Sequence, residues 1–429
     1  MIKLFIQKIM DNEFYKNIFT LFGGLIIAQV IPLLIVPVLT RIYSVEIFGI
    51  FFIYSAIVVI LSIFATLQYE ITIVLPEEDS DAINLLILSL STSLIISILL
   101  FIIIFFFNRQ IALLLGDSNI GPWLFLIPVS IFFTGIFQSF SYFGNRFKKY
   151  KTISGGRIVK STITGLSQLS CGITGYEKFG LIGGLIFGQI ISAAYMAVKF
   201  FKKVFIFLHQ VSVKRMIRLI KIYKNVPTYN TLMGLQNRLS GYLPFFLLGN
   251  YYGVTIVSLY GLAHRIIGTP TGIVSQSIGQ VFYQKASESY NNKDDLYGLV
   301  KGLYIKLLKV AIIPFTLLFF IAPAAFKFIF GPEWISTGRI IQILTPWLLL
   351  SFLNTPITSV ITILNKQKVL FIYNTLLLIF RFFALFIGFK VYNNEYYSIA
   401  FYALIGFIFN SFILFYMLAI CRNPYGKET

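Results

Sequence analysis

The sequence predicts an all-α integral membrane protein with about twelve transmembrane helices. Of its 429 residues, 57% are hydrophobic and only 12% are charged, and the mean hydropathy is +0.83. A soluble chain is usually about 45–50% apolar and about 25% charged. A membrane-spanning helix needs roughly 20 mostly apolar residues, and about twelve such runs follow one another along the chain. Nearly the whole length is therefore expected to lie in the membrane.

Short polar loops separate the expected spans. The first run is longer than the apolar core of a signal peptide and lacks a small-residue cleavage site, so we interpret it as a retained helix. The eighth run is too long for the bilayer, and its Ser- and Gln-rich second half is expected to project into the cytoplasm. The predicted spans are residues 18–39, 47–67, 82–107, 121–144, 152–174, 179–201, 227–248, 254–286, 303–326, 335–363, 369–389 and 397–420.

The net charge of +19 lies mainly on one side of the membrane if the amino terminus is cytoplasmic. Most of the 35 Lys and Arg residues then fall in cytoplasmic loops and tails, as the positive-inside rule requires. Both termini are therefore expected in the cytoplasm. Topology and anionic lipid explain the basic residues, so nucleic acid is not an expected partner. The outer side holds only Arg41, Arg109, Lys178, Lys327 and Lys390.

The longest loop, residues 202–225, divides the chain into two sets of six spans. It contains an amphipathic helical pattern, with Val213 and Ile217 on one face and Lys214 and Arg218 on another. We interpret this segment as an interfacial helix on the cytoplasmic leaflet, while recognition of a partner or a lipid headgroup stays open. The predicted domains are an N-terminal bundle of residues 1–201, the connector 202–225 and a C-terminal bundle of residues 226–429.

Acidic residues are missing from the expected membrane interior. The sixteen Asp and Glu residues lie almost wholly in loops and tails. Only Glu70 is near the interior of a span, at the cytoplasmic end of the second one. A cation exporter coupled to protons or sodium normally needs a carboxylate at membrane depth. Glu70 is therefore the one candidate for ion coupling.

Basic residues, in contrast, do occur in the expected membrane interior. Three arginines lie about ten to thirteen residues from the nearer end of their spans, or about 15 Å along a helix. A fixed cation at that depth costs roughly 2.5–3.5 kcal/mol on insertion scales, so we expect these side chains to line a polar cavity for an anion. Guanidinium groups bind phosphate bidentately. Structural pairing with backbone carbonyls is the alternative. The candidate substrate-binding residues are the deep Arg238, Arg265 and Arg381, with Arg41, Arg157 and Lys160 nearer the span ends.

Signals of metal binding or catalysis are absent from the sequence. The two cysteines, Cys171 and Cys421, lie near opposite ends of different expected spans, so we expect no disulfide. Two histidines and two cysteines form no metal-ligand pattern, and no cofactor is expected. The sequence also lacks a phosphate-binding glycine loop and a nucleophile elbow. We therefore expect neither catalytic residues nor an enzyme.

Several motifs resemble those of bacterial flippases for O-antigen and capsule repeat units, which belong to the multidrug/oligosaccharidyl-lipid/polysaccharide exporter superfamily. The likeness covers roughly residues 18–390. Two positions depart from it, since His264 stands where Gln is common and Gln68 where Arg is expected. The motifs are residues 39–49 (LTRIYSVEIFG), 67–76 (LQYEITIVLP), 81–85 (DAINL), 260–265 (YGLAHR), 280–282 (QVF), 286–288 (ASE), 331–334 (GPEW), 341–347 (IQILTPW) and 365–368 (NKQK), with Pro270 and Arg381.

The resemblance implies two six-helix bundles around a central cavity lined mainly by spans 1, 2, 7 and 8. It implies transport of a polyprenyl-pyrophosphate-linked oligosaccharide across the bacterial cytoplasmic (inner) membrane, for O-antigen or capsular polysaccharide synthesis. The expected partners are this lipid-linked glycan, membrane lipids, and a polysaccharide polymerase with its chain-length machinery. A monomer is expected.

Two other functions were weighed against this one. An ion-coupled antiporter of small organic cations would need a carboxylate at the midplane, and a membrane glycan polymerase would need a larger outer loop. The sequence shows neither.

Overall fold

The computed structural model describes residues 13–422 and residue 424, and every regular element in that part of the chain is helical. The first eight α-helices are α1 (Glu13–Ile42), α2 (Val45–Leu61), α3 (Asp79–Leu114), α4 (Gly121–Leu124), α5 (Ile127–Arg146), α6 (Tyr150–Ile173), α7 (Glu177–Phe207) and α8 (Val213–Tyr223). The next eight are α9 (Asn225–Tyr252), α10 (Val254–Ala263), α11 (Thr269–Asn291), α12 (Leu296–Phe330), α13 (Ile335–Asn354), α14 (Ser359–Ile363), α15 (Gln367–Ile387) and α16 (Glu395–Arg422).

Seven helical segments of the described chain are long and apolar enough to cross a membrane. An eighth forms if the bent pair Ser118–Leu124 and Ile127–Arg146, which meet at 45°, is one span. The twelve expected spans are therefore supported in part. The segments that fall short are α2, α6, α9 and the α10–α11 region.

Length and polarity explain why these four segments fall short. Helix α2 has only 17 residues. The other three carry cations predicted to line the cavity: Arg157 and Lys160 on α6, Arg238 on α9, and Arg265 between α10 and α11. Each such cation lowers the hydropathy of its helix. The least apolar helices are thus mainly those with candidate binding residues.

The chain divides into two compact units, one ending at Arg238 and the other beginning at Leu239. The predicted boundary was the connector, whereas this division falls within α9. The first half of α9 belongs to the N-terminal unit because it packs there. A Cβ on Gly234 would meet the Ile63 side chain, and Arg238 donates hydrogen bonds to the end of α2. The connector as the boundary between two bundles stays a prediction.

The N-terminal unit contains a core at the end where the loops predicted to be cytoplasmic lie. Buried side chains from the 3₁₀ helix Tyr69–Val74 and from α3, α5, α6, α7 and α8 meet there. Glycines let α6 and α7 approach closely: a Cβ on Gly184 would lie 2.9 Å from the backbone nitrogen of Gln168, and one on Gly188 would lie 2.7 Å from the Lys160 carbonyl oxygen. Close helix packing of this kind is what small residues at four-residue spacing predict.

Helix α8 is the amphipathic segment of the connector. Leu219 is buried in the N-terminal core, and Arg218 forms an ion pair with Asp81, with N–O distances of 2.8 and 2.9 Å. Val213 and Ile217 are exposed while Met216 and Ile220 are half-buried, so the described residues leave part of the predicted apolar face uncovered. An interfacial position for this helix remains a prediction that fits the uncovered face.

Two cores lie among the described residues of the C-terminal unit. One joins α11, α12, α14 and α16 through buried residues such as Phe282, Val300 and Met417. The other is formed by α12 and the end of α13, around Phe315 and Leu353. Between α10 and α11 the chain forms a π-helical turn, His264–Gly268. Pro270 follows this turn, and because proline lacks an N–H and clashes with the carbonyl four residues earlier, it widens the helix here.

Candidate functional site

In the N-terminal unit, Arg238 binds the last turn of α2. Its Nη1 donates to the carbonyl oxygen of Val59 and to the hydroxyl oxygen of Ser62, the second at 2.5 Å. The last carbonyls of a helix lack partners within the helix, and a cation there is favourable. Arg238 therefore stabilises the end of α2, which is the structural role weighed as its alternative.

Helix α2 ends at Leu61, earlier than the predicted span end at residue 67. Turns follow, in which Leu67 and Gln68 both have left-handed backbone angles, with φ of 48° and 62°. The chain then continues as the 3₁₀ helix Tyr69–Val74, which packs on α3 and α5. This break carries Glu70 into the packed interior, where only 3% of the residue is exposed.

Glu70 is the only acidic residue among the buried polar residues of the described chain. The Thr66 hydroxyl donates a hydrogen bond to its Oε2. Burial raises the pKa of Glu70 above its ordinary value of 4.5, while the hydrogen bonds and the charge of Arg238 act in the opposite direction. Glu70 and Arg238 are thus electrostatically connected within one unit.

Tyr142 extends this charged cluster from Glu70 to the predicted site residue Arg157. It interacts electrostatically with both side chains. Lys160 lies three residues further along α6 and is half-buried. Neither Arg157 nor Lys160 has a hydrogen bond or an ion pair with another residue of the described chain. Arg41 stands apart in sequence, exposed in the last turn of α1.

In the C-terminal unit, Arg265 lies in the π-helical turn and is half-buried. Within residues 13–422 it has no hydrogen-bond acceptor and no acidic partner. Its neighbour His264 stacks among the rings of Tyr242, Phe245 and Tyr260, with centroid distances of 5.8, 5.6 and 6.3 Å. The turn therefore fixes the histidine in an aromatic cluster and leaves the arginine without a protein ligand among the described residues.

Arg381, on α15, is held between two aromatic rings. Its guanidinium carbon lies 4.7 Å from the ring centroid of Trp347 and 4.6 Å from that of Tyr402. Its Nη1 donates to Ser240 Oγ at 3.0 Å and to the Ser240 carbonyl oxygen at 3.5 Å. Only 5% of Arg381 is exposed. Cation–π contacts of this kind gain strength when the cation is desolvated.

A cavity of about 230 Å³ lies beside Arg381, wholly within the C-terminal unit. Its wall combines aromatic rings with small hydroxyl and glycine residues, and none of the described residues that line it is acidic. Arg381 and His264 belong to the wall, whereas Arg265 does not. The lining residues are Gly241, Tyr260, His264, Gly268, Thr271, Gly272, Ser275, Leu344, Trp347, Leu348, Ser351, Phe352, Thr355, Arg381 and Tyr402.

Comparison with known proteins decides the family. The family model described as polysaccharide biosynthesis protein matches residues 38–339. The chain belongs to this family. It is a multi-pass membrane protein, with helices among the described residues that are long and apolar enough to cross a membrane. A sequence search of curated proteins gave no match.

Solved structures show the fold of this polysaccharide biosynthesis family member. The chain is similar to the lipid II flippase MurJ in an inward closed conformation, with a TM-score of 0.69, 16% identity, and coverage of 95% of this chain and 90% of that chain. It is also similar to an inward-facing multidrug resistance MATE family transporter of the MOP superfamily. That likeness has a TM-score of 0.61 and 12% identity, and it covers 95% of this chain and 96% of that chain. A third likeness is to a MOP superfamily transporter from Pyrococcus furiosus. Here the TM-score is 0.60 and the identity 12%, with coverage of 96% of this chain and 97% of that chain. The MOP superfamily fold expected from the motifs is confirmed.

Sequence reasoning about this family member missed the partners of the cations. Ser240 and Tyr402, which hold Arg381, and Tyr142, which connects Glu70 with Arg157, were not singled out. Serine and tyrosine are common in spans, and nothing in the linear pattern separates these positions from others. Trp347 stands in one of the quoted motifs, which was the only available signal.

A metal site is not found in the described residues, where no three His, Cys, Asp or Glu side chains come together. Cys171 is half-buried and Cys421 is buried, and both are free thiols.

Proposed function

We propose that this polysaccharide biosynthesis transporter is a flippase that moves polyprenyl-pyrophosphate-linked oligosaccharide repeat units from the inner to the outer leaflet of the bacterial cytoplasmic membrane, for O-antigen or capsular polysaccharide. The proposal includes alternating access and twelve spans in two six-helix bundles around a central cavity. Helices α2, α6 and α9 and the α10–α11 region would supply the four spans beyond the eight that meet the length and apolarity criteria.

One observation carries the proposal: Arg265 occupies the middle of an expected span and has no hydrogen bond or ion pair within the described chain. A half-buried guanidinium without a protein acceptor has N–H groups free to bind a ligand, and two oxygens of one phosphate accept hydrogen bonds from two of them at once. The pyrophosphate of a lipid-linked glycan supplies such an acceptor. Arg238, Arg381, Arg157, Lys160 and Arg41 would contribute positive charge to the path of the same anion.

Ion coupling, if the cycle uses it, is assigned in this proposal to Glu70. It is a buried carboxyl in electrostatic contact with a site arginine. Protonation would remove its charge and weaken its attraction for Arg238, which caps α2. A proton could in this way change how the end of α2 is held.

An antiporter of small organic cations is supported less well. The likeness to MATE transporters shows the fold alone. Glu70, the only buried acid in the described chain, lies close enough to Arg238 for their charges to interact. A cationic substrate would be repelled by the same arginines that attract a phosphate.

The proposal is tested by deleting the gene in its host and measuring lipid-linked oligosaccharides in each leaflet together with surface polysaccharide. We expect repeat units to accumulate on the inner leaflet and surface polysaccharide to fall. Unchanged surface polysaccharide, without accumulation at the inner leaflet, contradicts the proposal.

Arg265 gives a sharper test of the site. Arg265→Ala should abolish export while the protein still inserts, and Arg265→Lys should keep part of the activity because it retains the charge and loses the bidentate geometry. Export is measured by complementation of the deletion strain, with membrane levels checked by immunoblot. Full export by Arg265→Ala would assign this arginine to structure.

A further inference from the structure

Helix α8 begins where a membrane-crossing segment ends. The apolar segment Glu177–Gln210 has 34 residues and is long enough to cross a membrane, and α8 follows it at Val213. At 1.5 Å per residue the segment is about 51 Å long, close to the ~40–45 Å of a bilayer with its headgroups. Phe205 and Ile206, near its end, are large apolar side chains exposed on the chain, as expected for contact with lipid. The start of α8 is therefore near the level of the headgroups.

Three contacts hold α8 in one orientation on the N-terminal unit. The amide of Asn84, a buried residue of α3, joins this helix to the turn before α8. Its Nδ2 donates to the Gln210 carbonyl oxygen at 3.1 Å, and its Oδ1 accepts a hydrogen bond from the Ser212 N–H at 2.9 Å. The ion pair of Arg218 and the buried Leu219, described above, are the other two contacts. The fold therefore decides which side chains of α8 point away from the protein.

One line of exposed side chains on α8 combines positive charge with apolar surface. Lys214, Ile217 and Lys221 are three and four residues apart, so they are neighbours along one side of the helix. All three are exposed, and the exposed Val213 lies one turn before Ile217. The apolar stem of a lysine can lie along lipid while its ammonium group reaches the headgroup layer.

The two lysines of this line have no ion pair with a described residue. The acidic residues at the start of α3 already bind other cations, since Asp79 pairs with Arg146 and Asp81 pairs with Arg218. The lysines therefore favour an anionic ligand. Because an exposed isoleucine lies between them, a ligand that carries a phosphate beside a hydrocarbon chain fits better than an acidic polypeptide, which has no such chain.

We propose that the line formed by Lys214, Ile217 and Lys221 is a binding site for an anionic phospholipid of the cytoplasmic leaflet. The ammonium groups contact the lipid phosphate, and Ile217 and Val213 lie against the upper part of the acyl chains. The site lies on the outside of the N-terminal unit, so it does not depend on the proposed flippase function.

A fluorophore at the apolar end of the line tests which lipid is bound there. In a Cys171→Ser/Cys421→Ala background, Val213→Cys is labelled with bimane. The purified protein is reconstituted into phosphatidylcholine vesicles with a small fraction of nitroxide-labelled phosphatidylcholine or nitroxide-labelled phosphatidylglycerol, the nitroxide being on an acyl chain. We expect both lipids to quench the fluorophore, and phosphatidylglycerol to quench it more strongly at the same fraction.

Ile222→Cys, labelled in the same way, is the matched control. Ile222 is also exposed, but at five residues from Ile217 it lies about 140° around the helix. Quenching at this position should be equal for the two lipids.

Charge variants give the size of the preference. A lysine at an anionic membrane surface increases binding by about fivefold. Lys214→Gln and Lys221→Gln should therefore each lower the binding constant of phosphatidylglycerol relative to phosphatidylcholine by about fivefold, and the double variant should remove the preference. Lys151→Gln/Lys285→Gln is the control with the same loss of charge. It changes exposed lysines on α6 and α11 and should alter the ratio by less than about twofold.

Salt and a conservative variant separate charge from damage to the fold. Raising potassium chloride from 0.1 to 1 M shortens the screening length from about 10 to about 3 Å, so the preference should fall. Lys214→Arg/Lys221→Arg keeps both charges and should keep the preference.

Three results would overturn the lipid site. The first is equal quenching by the two lipids at position 213, and the second is a preference that survives in Lys214→Gln/Lys221→Gln. The third is the absence of quenching by either lipid, which would place this side of α8 in water and leave an acidic polypeptide as the ligand of the lysines. None of these results bears on the export test, which measures the cargo.

Discussion

At the scale of single residues, Glu70 is the group through which pH can act inside the N-terminal unit. Its carboxyl is buried, so the folded protein holds the proton more tightly than the unfolded chain does. Where the folded state binds more protons, stability falls as pH rises. The free energy of unfolding should therefore decrease from pH 4.5 upward until the folded pKa of Glu70 is passed.

Glu70→Gln should remove this decrease, because a neutral amide has no charge to desolvate. Thermal unfolding of the purified protein across pH 4 to 8 measures the effect, and the melting temperature of the variant should gain on that of the wild type as pH rises. Glu77→Gln, at an exposed loop position, is the control. A constant difference between Glu70→Gln and wild type at every pH would contradict the role of burial.

The cations of the candidate site were predictable one by one, and their surroundings were not. Depth along an apolar run identifies Arg265 and Arg381, because charge in a span is costly whatever the fold. The run cannot show that Arg381 lies between Trp347 and Tyr402, since these residues come from three helices. Nor can it show that Arg238 caps α2, which requires the helix end at Leu61.

At the scale of elements, α2 and the α10–α11 pair depart from continuous helices for different reasons. Pro270 is visible in the sequence, so a disturbance there could be expected, although its π-helical form could not. The break after Leu61 has no such signal, because residues 62–67 contain apolar residues and neither glycine nor proline. Tertiary packing of Glu70 and Ile73 decides it.

The contact between α6 and α7 depends on Gly188. A Cβ there would approach the Lys160 carbonyl oxygen to 2.7 Å, and backbone cannot move aside as a flexible side chain does. Gly188→Val should force the two helices apart and lower the free energy of unfolding by about 1–3 kcal/mol. Unfolding in an SDS titration measures this change.

Gly23→Val is the matched control for that substitution. Gly23 also lies in a helix, α1, and its added Cβ would meet nothing within 4 Å. It should change stability by well under 1 kcal/mol beyond the helix-propensity difference. Equal destabilisation by the two substitutions would show that the α6–α7 contact does not require a residue without a Cβ at position 188.

At the scale of the whole molecule, the distribution of Lys and Arg predicts the orientation in the membrane. In a Cys171→Ser/Cys421→Ala background, Asn292→Cys should react with an impermeant maleimide only in inside-out vesicles. Lys178→Cys should react only in intact cells, because it lies on the predicted outer side. Both positions are exposed, so access is set by the membrane. The reverse pattern would overturn the topology.

The order of chain insertion follows from the weak apolarity of the segments that carry cations. Helix α6 and the α10–α11 region fall short of a self-sufficient span, whereas α7 and α12, which follow them, are long and apolar enough to cross a membrane. During synthesis, each weakly apolar segment would partition poorly from the translocon into the bilayer. The strongly apolar helix that is synthesised next would insert on its own. Its insertion would then promote insertion of the weak segment before it. Chains truncated before α7 should therefore fail to insert α6 into the membrane, and chains truncated before α12 should fail to insert the α10–α11 region.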